Sequence, residues 1–207
     1  MIDPAKFDPD TLDWAKMDGL IPAIVQHATT GEVRMLGYMD RAALDATIAD
    51  RLVTFYSRSR GGSWRKGDTS GNLLDLVDIR SDCDRDALCI LAIPRGPTCH
   101  TGSDSCFGDD GAPGIGFIAT LAETVATRAA ADPATSYTAR LIGEGIKRLA
   151  QKVGEEGVEV ALAAVAGDAA ELTSEAADLV YHLTVLLEAS DSSWHDVIAE
   201  LERRHAP

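Results

Sequence analysis

The sequence predicts an α+β protein with a β-rich first half and an all-α second half. Two observations predict this division. In the first half, β-branched and aromatic residues form short runs such as 53–56 and 73–79, with a turn signal at Gly61-Gly62 between them. In the second half, alanine is abundant and apolar residues recur at helical spacing without an intervening strand pattern.

Residues 108–116 separate the two halves. This segment holds four glycines, one proline and two acidic residues, so it can neither continue a helix nor pack as a central strand. We therefore predict a first domain at 1–107, a linker at 108–116 and a second domain at 117–207. Because each half is near the lower size limit of an independent domain, we expect oligomerisation to help bury a core.

Helices are predicted where a capping residue precedes an apolar periodicity. In the first half, Asp40 is a suitable N-cap for a helix over residues 41–48. In the second half, the spacing predicts four helices, at about 117–130, 137–166, 169–189 and 193–204. Asp168 is the expected N-cap of the third helix, and Asp191 or Ser192 that of the fourth.

Composition limits the partners that the chain can have. Its 207 residues include 19 Lys+Arg and 33 Asp+Glu, a net charge of −14 that repels polyanions, so we expect no general nucleic-acid binding. The longest apolar runs, 87–93 and 160–166, are seven residues each and too short to span a membrane. The N-terminus shows no secretory signal pattern. We expect a cytoplasmic protein with no membrane partner.

Three aspartates occupy alternate positions in the first half, at Asp82, Asp84 and Asp86. On a strand of period two, these carboxylates would share one face while Cys83 points to the other. Such a face could bind a hard, oxygen-liganded cation such as Mg²⁺. From the spacing alone, an exposed acidic strand edge is an equally good interpretation.

All four cysteines lie in the first half, and in a cytoplasmic chain they favour metal binding or chemistry over disulfides. Cys99 and Cys106 belong to a turn-rich loop suited to wrapping an ion. Three thiolates and one open position would make a catalytic zinc site. Spacing leaves open whether Cys83 or Cys89 is the third ligand, although Cys89, in an apolar run, is better explained as a small buried hydrophobe.

A basic segment in the first half predicts phosphate binding. Residues 57–60 and 64–67 carry four positive charges, with no acidic residue between Asp50 and Asp68. Together with neighbouring hydroxyl groups, these charges could hold a phosphoribosyl group. The candidate substrate contacts are Arg58, Arg60, Trp64, Lys66, Thr69, Ser70 and Asn72. By composition alone, a solvated hairpin explains the segment equally well.

The second half carries acidic residues in pairs at helical spacing. The pairs are formed by Glu155, Glu156 and Glu159 on one predicted helix and by Glu175 and Asp178 on the next. Antiparallel helices would bring both groups together, and their repulsion favours a bound Mg²⁺ with a polyphosphate. Lys152, just upstream, is a candidate phosphate contact. The alternative is a solvated helix face with ordinary surface pairing.

Several of these segments resemble known families. Residues 35–39, 54–60, 64–72, 82–88 and 96–100 read MLGYM, TFYSRSR, WRKGDTSGN, DCDRDAL and GPTCH. They closely resemble phosphoribosyl-AMP cyclohydrolase, over about residues 15–107. Residues 136–139, 151–159 and 175–179 read SYTA, QKVGEEGVE and EAADL, and they are similar to phosphoribosyl-ATP pyrophosphohydrolase, an all-α nucleotide pyrophosphohydrolase. Together they imply the fused bifunctional enzyme of histidine biosynthesis.

The resemblance implies particular ligands in the first half. In the cyclohydrolase family, the cysteine of the Asp-Cys-Asp motif binds Zn²⁺ with the two later cysteines. Here these are Cys83, Cys99 and Cys106. The family shares the first cysteine across an intertwined homodimer, which makes the site intersubunit, and its three aspartates hold Mg²⁺. Asp68 stands where the family more often has glutamate, so its role is open.

The resemblance also implies two hydrolyses of phosphoribosyl nucleotides. The helical half would cleave phosphoribosyl-ATP to phosphoribosyl-AMP and pyrophosphate, with Mg²⁺ held by the acidic residues and Glu155 or Glu156 as candidate bases. The β-rich half would then open the adenine ring at the N1–C6 bond with zinc-activated water. His100 is a candidate proton shuttle or an orienting residue for the site. The rivals are a non-catalytic zinc module with a helical oligomerisation domain, and a general nucleotide pyrophosphohydrolase.

Overall fold

The computed structural model describes residues 4–108, 111–112 and 114–205. The chain divides into two compact units, with the boundary between Phe117 and Ile118. The first unit is rich in strands and the second is helical, which confirms the predicted α+β class. In the described residues, no helix combines the length and apolarity needed to cross a bilayer.

The described part of the first unit contains six strands and helix α1. These are β1 Ile21–His27, β2 Val33–Met39, α1 Arg41–Asp50, β3 Thr54–Ser57, β4 Gly62–Arg65, β5 Leu74–Ser81 and β6 Leu88–Pro94. Strands β2, β1, β6 and β5 form a sheet in that order, parallel between β1 and β6 and antiparallel elsewhere. Strands β3 and β4 form a separate hairpin.

The core of the first unit is built from one face of the sheet, helix α1 and strand β3. Ile21, Ala23 and Val25 are fully buried and alternate with more exposed residues along β1, as a strand with one covered face requires. Phe55 of β3 packs directly over Gly37 of β2, where any Cβ atom would overlap the phenyl ring. Glycine at this position therefore lets the hairpin close onto the sheet.

The start of α1 is as predicted, and the predicted linker is described only in part. The Asp40 carboxylate accepts a hydrogen bond from the Ala43 N–H at 2.8 Å and so caps α1. Three residues of the predicted linker lie outside the described residues: Asp109, Asp110 and Pro113. Ala112 is buried and Gly116 lies against the carbonyl of Thr30. The described part of the segment thus packs on the first unit.

The described part of the second unit consists of five helices. They are α2 Phe117–Ala129, α3 Tyr137–Gly143, α4 Ile146–Ala166, α5 Ala169–Ala189 and α6 Trp194–His205. Its core contains Val125, Leu141, Leu149 and Val185, one each from α2 to α5. Only Gly167 and Asp168 separate α4 from α5, so these two helices pack antiparallel as an αα-hairpin.

Two details of the predicted helices are wrong. The single helix predicted at 137–166 is two helices, because Gly145 adopts a φ of 91° that ends the regular helix between α3 and α4. The N-cap of α6 is neither Asp191 nor Ser192. Ser193 and Asp196 form a reciprocal capping pair instead, in which the Ser193 N–H donates to the Asp196 carboxylate at 2.9 Å. The Asp168 cap of α5 is confirmed by its hydrogen bonds.

Candidate active sites

The three aspartates of the first unit lie in the turn between β5 and β6, so the strand predicted there is wrong. Asp82 Oδ1 accepts hydrogen bonds from the N–H groups of Asp86 and Ala87, at 3.0 and 3.1 Å, and this bonding closes the turn. The turn nevertheless gathers the carboxylates of Asp82, Asp84 and Asp86, whose oxygen atoms lie within 4.8 Å of one another. Such a group could hold a divalent cation.

Lys16 lies against this acidic turn. Its ammonium group is 2.5 Å from Asp84 Oδ2 and also contacts Asp86. Hydrogen bonds to Asp84 and then Asp86 raise the pKa of Lys16, so it supplies the turn with a permanent positive charge. No local spacing in the sequence links position 16 to the turn, so Lys16 was not predicted as a site residue.

The loop after β6 brings two cysteines together, Cys99 and Cys106. The hydroxyl of Thr101 donates to Cys99 Sγ at 3.1 Å. Hydrogen bonds from Thr101, then Ser103 and Cys106, lower the pKa of Cys99 to about 6, whereas burial, followed by the Cys99 hydrogen bond, raises the pKa of Cys106. The loop therefore holds a thiolate at neutral pH beside a second thiol, an arrangement that suits a thiophilic metal such as zinc.

The other two cysteines lie elsewhere. Cys83 is exposed on the acidic turn, with its Sγ 3.9 Å from Asp84 Oδ1. Cys89 is half-buried in β6, 3.7 Å from Gln26 Oε1, and burial raises its pKa. Within one chain, among the described residues, no group of three metal-ligating side chains includes a cysteine. In the described part of a single chain, therefore, only two of the three predicted thiolate ligands lie close together.

A cavity of about 630 Å³ opens beside the paired cysteines, Cys99 and Cys106. Besides these two thiols, it is lined by six of the predicted substrate contacts and by His100. The six are Arg60, Trp64, Lys66, Thr69, Ser70 and Asn72. Arg58 lines a neighbouring cavity instead, where its guanidinium lies 4.1 Å from the centre of the Tyr38 ring. The cavity combines positive charge, hydroxyl groups and an aromatic ring, which suits a phosphorylated nucleoside.

Lys66 and His100 are basic groups close to the thiols. Burial lowers the pKa of Lys66, and the neighbouring Cys106 and Cys99 partly offset this effect. His100 Nδ1 lies 3.8 Å from Cys99 Sγ. Both side chains line the cavity, so both could contact a substrate that reaches the thiols.

The acidic residues of the second unit meet where α4 packs on α5. Carboxylate oxygens of Glu156, Glu175 and Asp178 lie within 4.8 Å of one another. Glu156 is buried, and its hydrogen bond with Lys152 Nζ, 2.7 Å away, lowers its pKa. Glu159 hydrogen-bonds to Glu156, and this contact raises the pKa of Glu159. The cluster therefore concentrates negative charge that a divalent cation could offset.

Glu155 is placed differently from its neighbours. Its carboxylate contacts Gln151 at 2.7 Å, Lys152 at 3.1 Å and Arg148 at 3.6 Å, and it is not one of the three clustered acids. Glu155 and Glu156 are consecutive on α4 and so project in different directions. Glu155 thus lies at the edge of the cluster, beside the basic side chains.

His182 was not predicted as a site residue but borders the same cluster. Its Nε2 lies 3.5 Å from Glu156 Oε1, and its Nδ1 is buried without a hydrogen-bond partner among the described residues. Burial lowers the pKa of His182, which keeps the ring neutral at neutral pH. The available sequence signal is its spacing, because His182 follows Asp178 by one helical turn on α5.

The fold and the two sites define a two-domain enzyme with a metal-ligand-rich site in each domain. Residues 35–108 match the family model of phosphoribosyl-AMP cyclohydrolase, and residues 118–205 match that of phosphoribosyl-ATP pyrophosphohydrolase. The chain is 57% identical over 194 residues to the histidine biosynthesis bifunctional protein HisIE of Shigella sonnei, covering 94% of this chain and 95% of that protein.

Two further relatives carry the same name. Identity is 56% over 194 residues for Salmonella typhi, with 94% of this chain and 95% of that protein covered. For Pasteurella multocida it is 53% over 197 residues, with 94% and 98% covered. The chain therefore belongs to the HisIE family of bifunctional histidine biosynthesis enzymes, and the resemblance inferred from its motifs is confirmed.

Proposed function

We propose that each unit uses one water molecule to hydrolyse a phosphoribosyl nucleotide. The helical unit would convert phosphoribosyl-ATP to phosphoribosyl-AMP and pyrophosphate, and the β-rich unit would open the adenine ring of that product at the N1–C6 bond. The observation that carries the second step is the pair of thiols at the edge of a basic cavity. Membership of an enzyme family argues against a non-catalytic zinc module.

In the helical unit, we propose that Glu155, Glu156, Glu159, Glu175 and Asp178 bind Mg²⁺. Three of these carboxylates already lie within 4.8 Å of one another, so the donor set fits a hard cation. When bound, Mg²⁺ supplies positive charge that offsets the acids and holds phosphate oxygens. Lys152 would contact the phosphate chain. Glu155 and Glu156 both remain candidates for the base.

In the β-rich unit, we propose that Cys99, Cys106 and Cys83 bind Zn²⁺, with Cys83 contributed by a second copy of the chain. The low pKa of Cys99 supports thiolate ligation at neutral pH. When bound, Zn²⁺ supplies a Lewis acid that lowers the pKa of coordinated water. The acidic turn formed by Asp82, Asp84 and Asp86 would hold Mg²⁺.

The side chains of the cavity would bind the substrate beside the thiols. Arg60 and Lys66 carry the charges that attract phosphate, Thr69, Ser70 and Asn72 offer hydrogen bonds, and Trp64 offers an apolar surface. Arg58 would act from the neighbouring cavity. His100 would transfer the proton from the attacking water towards the ring nitrogen that leaves C6.

We propose a homodimer that places Cys83 of one copy at the thiol pair of the other. An exposed apolar face of the sheet supports the homodimer. On this face, three adjacent strands carry Ile24, Leu36 and Ile93, and each of these side chains is more than a third exposed. Ile24 pairs directly with Leu36 across β1 and β2, so the apolar surface is continuous there. A second copy of the chain that packs on this face would also supply the third zinc ligand. We expect this dimer to act in the cytoplasm.

The division of labour can be tested by replacing single thiols. Cys99→Ala should abolish ring opening and zinc binding while pyrophosphate release continues at the parental rate. Cys89→Ala is the matched control and should leave both reactions and the zinc content unchanged. Loss of pyrophosphate release in Cys99→Ala would contradict the proposal. Assays with ordinary nucleoside triphosphates separate it from a general nucleotide pyrophosphohydrolase, which would hydrolyse them as readily as phosphoribosyl-ATP.

A further inference from the structure

A β-bulge at Arg34 interrupts strand β2 next to the thiol loop. Val25 of β1 pairs with Met35, but the next residue, Gln26, pairs with Val33. Arg34 is therefore the extra residue of the bulge, and it is buried together with its neighbour Met35 rather than alternating with it. Bulges commonly redirect a side chain in this way. Here the bulge turns a guanidinium group away from solvent.

Inside the protein, the Arg34 guanidinium reaches three side chains. Its Nη1 lies 2.5 Å from Glu32 Oε2, and both residues are under 10% exposed. Its Nη2 is 3.4 Å from Asp104 Oδ1, and its Nε donates to Thr98 Oγ1 at 3.4 Å. Thr98 directly precedes Cys99, and Asp104 lies two residues before Cys106. The buried ion pair thus extends into the segment that carries both thiols.

The main chain of the bulge makes two more bonds to the same segment. The N–H of Cys106 donates to the carbonyl of Arg34 at 2.8 Å. The hydroxyl of Ser105 donates to the carbonyl of Val33, also at 2.8 Å. The bulge therefore holds the loop near its start, through Thr98, and near its end, through Asp104 to Cys106.

The charges explain why arginine suits this position. A buried guanidinium needs a counter-charge and partners for its remaining donors. Glu32 provides the charge, and the planar fork leaves its other nitrogens directed at Thr98 and Asp104. A side chain that cannot donate in several directions would keep the loop bonded only through its main chain and Ser105.

We propose that Arg34 is a positioning residue that holds the loop so that the sulfurs of Cys99 and Cys106 face one ion. This inference rests on the proposed zinc site for its role in function. Its geometric content, the close pairing of two thiols, can be measured without zinc. Replacing a residue that orients a metal ligand typically lowers metal affinity by about 10- to 100-fold, so we expect a loss of that size when Arg34 is replaced.

The test uses the full chain and two probes. Phenylarsine oxide bridges two closely spaced thiols in the metal-free protein, and zinc affinity is measured by competition with a chromogenic chelator. In Arg34→Met, both affinities should fall by about 10- to 100-fold, while pyrophosphate release by the helical unit stays at the parental rate. Arg34→Lys should recover part of both losses. Arg95→Met is the matched control, since Arg95 pairs with Asp75 on the adjacent strand and is exposed.

A second variant allows the test to be made even if Arg34→Met misfolds. The Asp104 side chain is 69% exposed, so Asp104→Asn keeps the core intact while removing the charge that faces Arg34. Asp104→Asn should lower the affinities for the arsenical and for zinc, as Arg34→Met does. Parental affinities in Asp104→Asn and Arg34→Met, or equal losses in Arg34→Met and Arg95→Met, would overturn the proposal. A parent that binds the arsenical but not zinc would refute the zinc site, and the arsenical results would still decide the role of Arg34.

Discussion

The two units build their acidic and thiol clusters in different ways. In the helical unit, Glu156, Glu175 and Asp178 meet because two regular helices pack antiparallel, so one chain completes the cluster. In the β-rich unit, the candidate zinc ligands lie in a turn and in an irregular loop. Among the described residues of one chain, only two of these ligands, Cys99 and Cys106, lie close together. Two packed helices complete the helical cluster within one chain, whereas the thiol site depends on contacts of its loop with distant segments and, as proposed, on a second copy.

The largest effect is expected at the centre of the helical cluster. Glu156→Gln should reduce pyrophosphate release by more than about 100-fold, because even residues that only orient metal ligands cost 10- to 100-fold when removed. Ring opening of added phosphoribosyl-AMP should be unchanged, because that site belongs to the other unit. Both reactions are followed by initial rates on the same preparation.

The matched control for this change is Glu188→Gln. Glu188 is an exposed acid ten residues beyond Asp178 on the same helix, so its loss should leave both rates at parental values. Equal losses in the two variants would show that the acids act through general charge rather than through the cluster.

A mixed dimer tests whether the thiol site requires two chains. Co-expression of Cys83→Ala and Cys99→Ala subunits with different tags allows the mixed dimer to be purified. If Cys83 serves the other copy, this dimer contains one complete site and should recover about half of the parental ring-opening rate, although each variant alone is inactive.

A mixed dimer of Cys99→Ala and Cys106→Ala provides the control. Both of these thiols belong to the same loop, so no combination restores a complete site and the dimer should stay inactive. If the Cys83/Cys99 mixed dimer is as inactive as this control, the shared-cysteine arrangement is wrong.

The same contrast explains which features could be predicted from the sequence. Periodicity predicted that acids on successive helices would meet, because helix geometry fixes which residues share a face. It missed the end of α3, since one glycine with positive φ interrupts an otherwise continuous pattern. It also assigned Asp82 to a strand, although the Asp82 carboxylate bonds to nearby N–H groups and forms a turn. Lys16 reaches that turn from another part of the chain, which no local pattern reveals.

A smaller effect is expected on the chemistry of the thiol loop. In the metal-free protein, the pKa of Cys99 is about 6, so its alkylation rate should be nearly constant above pH 7 and fall below pH 6. Thr101→Val removes the largest cause of the low pKa and should slow alkylation at pH 7 by about tenfold, because less of the thiol is ionised. Mass spectrometry of the Cys99 peptide measures the rate. An unchanged pH profile would refute the role assigned to Thr101. Thr127→Val, at an exposed position of α2, is the control.

The smallest effect concerns the end of a helix and tests how finely sequence patterns locate boundaries. Ser193 and Asp196 bond reciprocally at the start of α6, so Ser193→Ala should lower the free energy of unfolding of the helical unit by about 1 kcal/mol. Ser192→Ala changes the neighbouring serine, one of the two caps predicted from sequence, and should change stability by less than about 0.5 kcal/mol. Denaturant unfolding followed by helical circular dichroism compares the two. A larger loss in Ser192→Ala would mean that the cap predicted from sequence, and not the bonded pair, holds the helix start in solution.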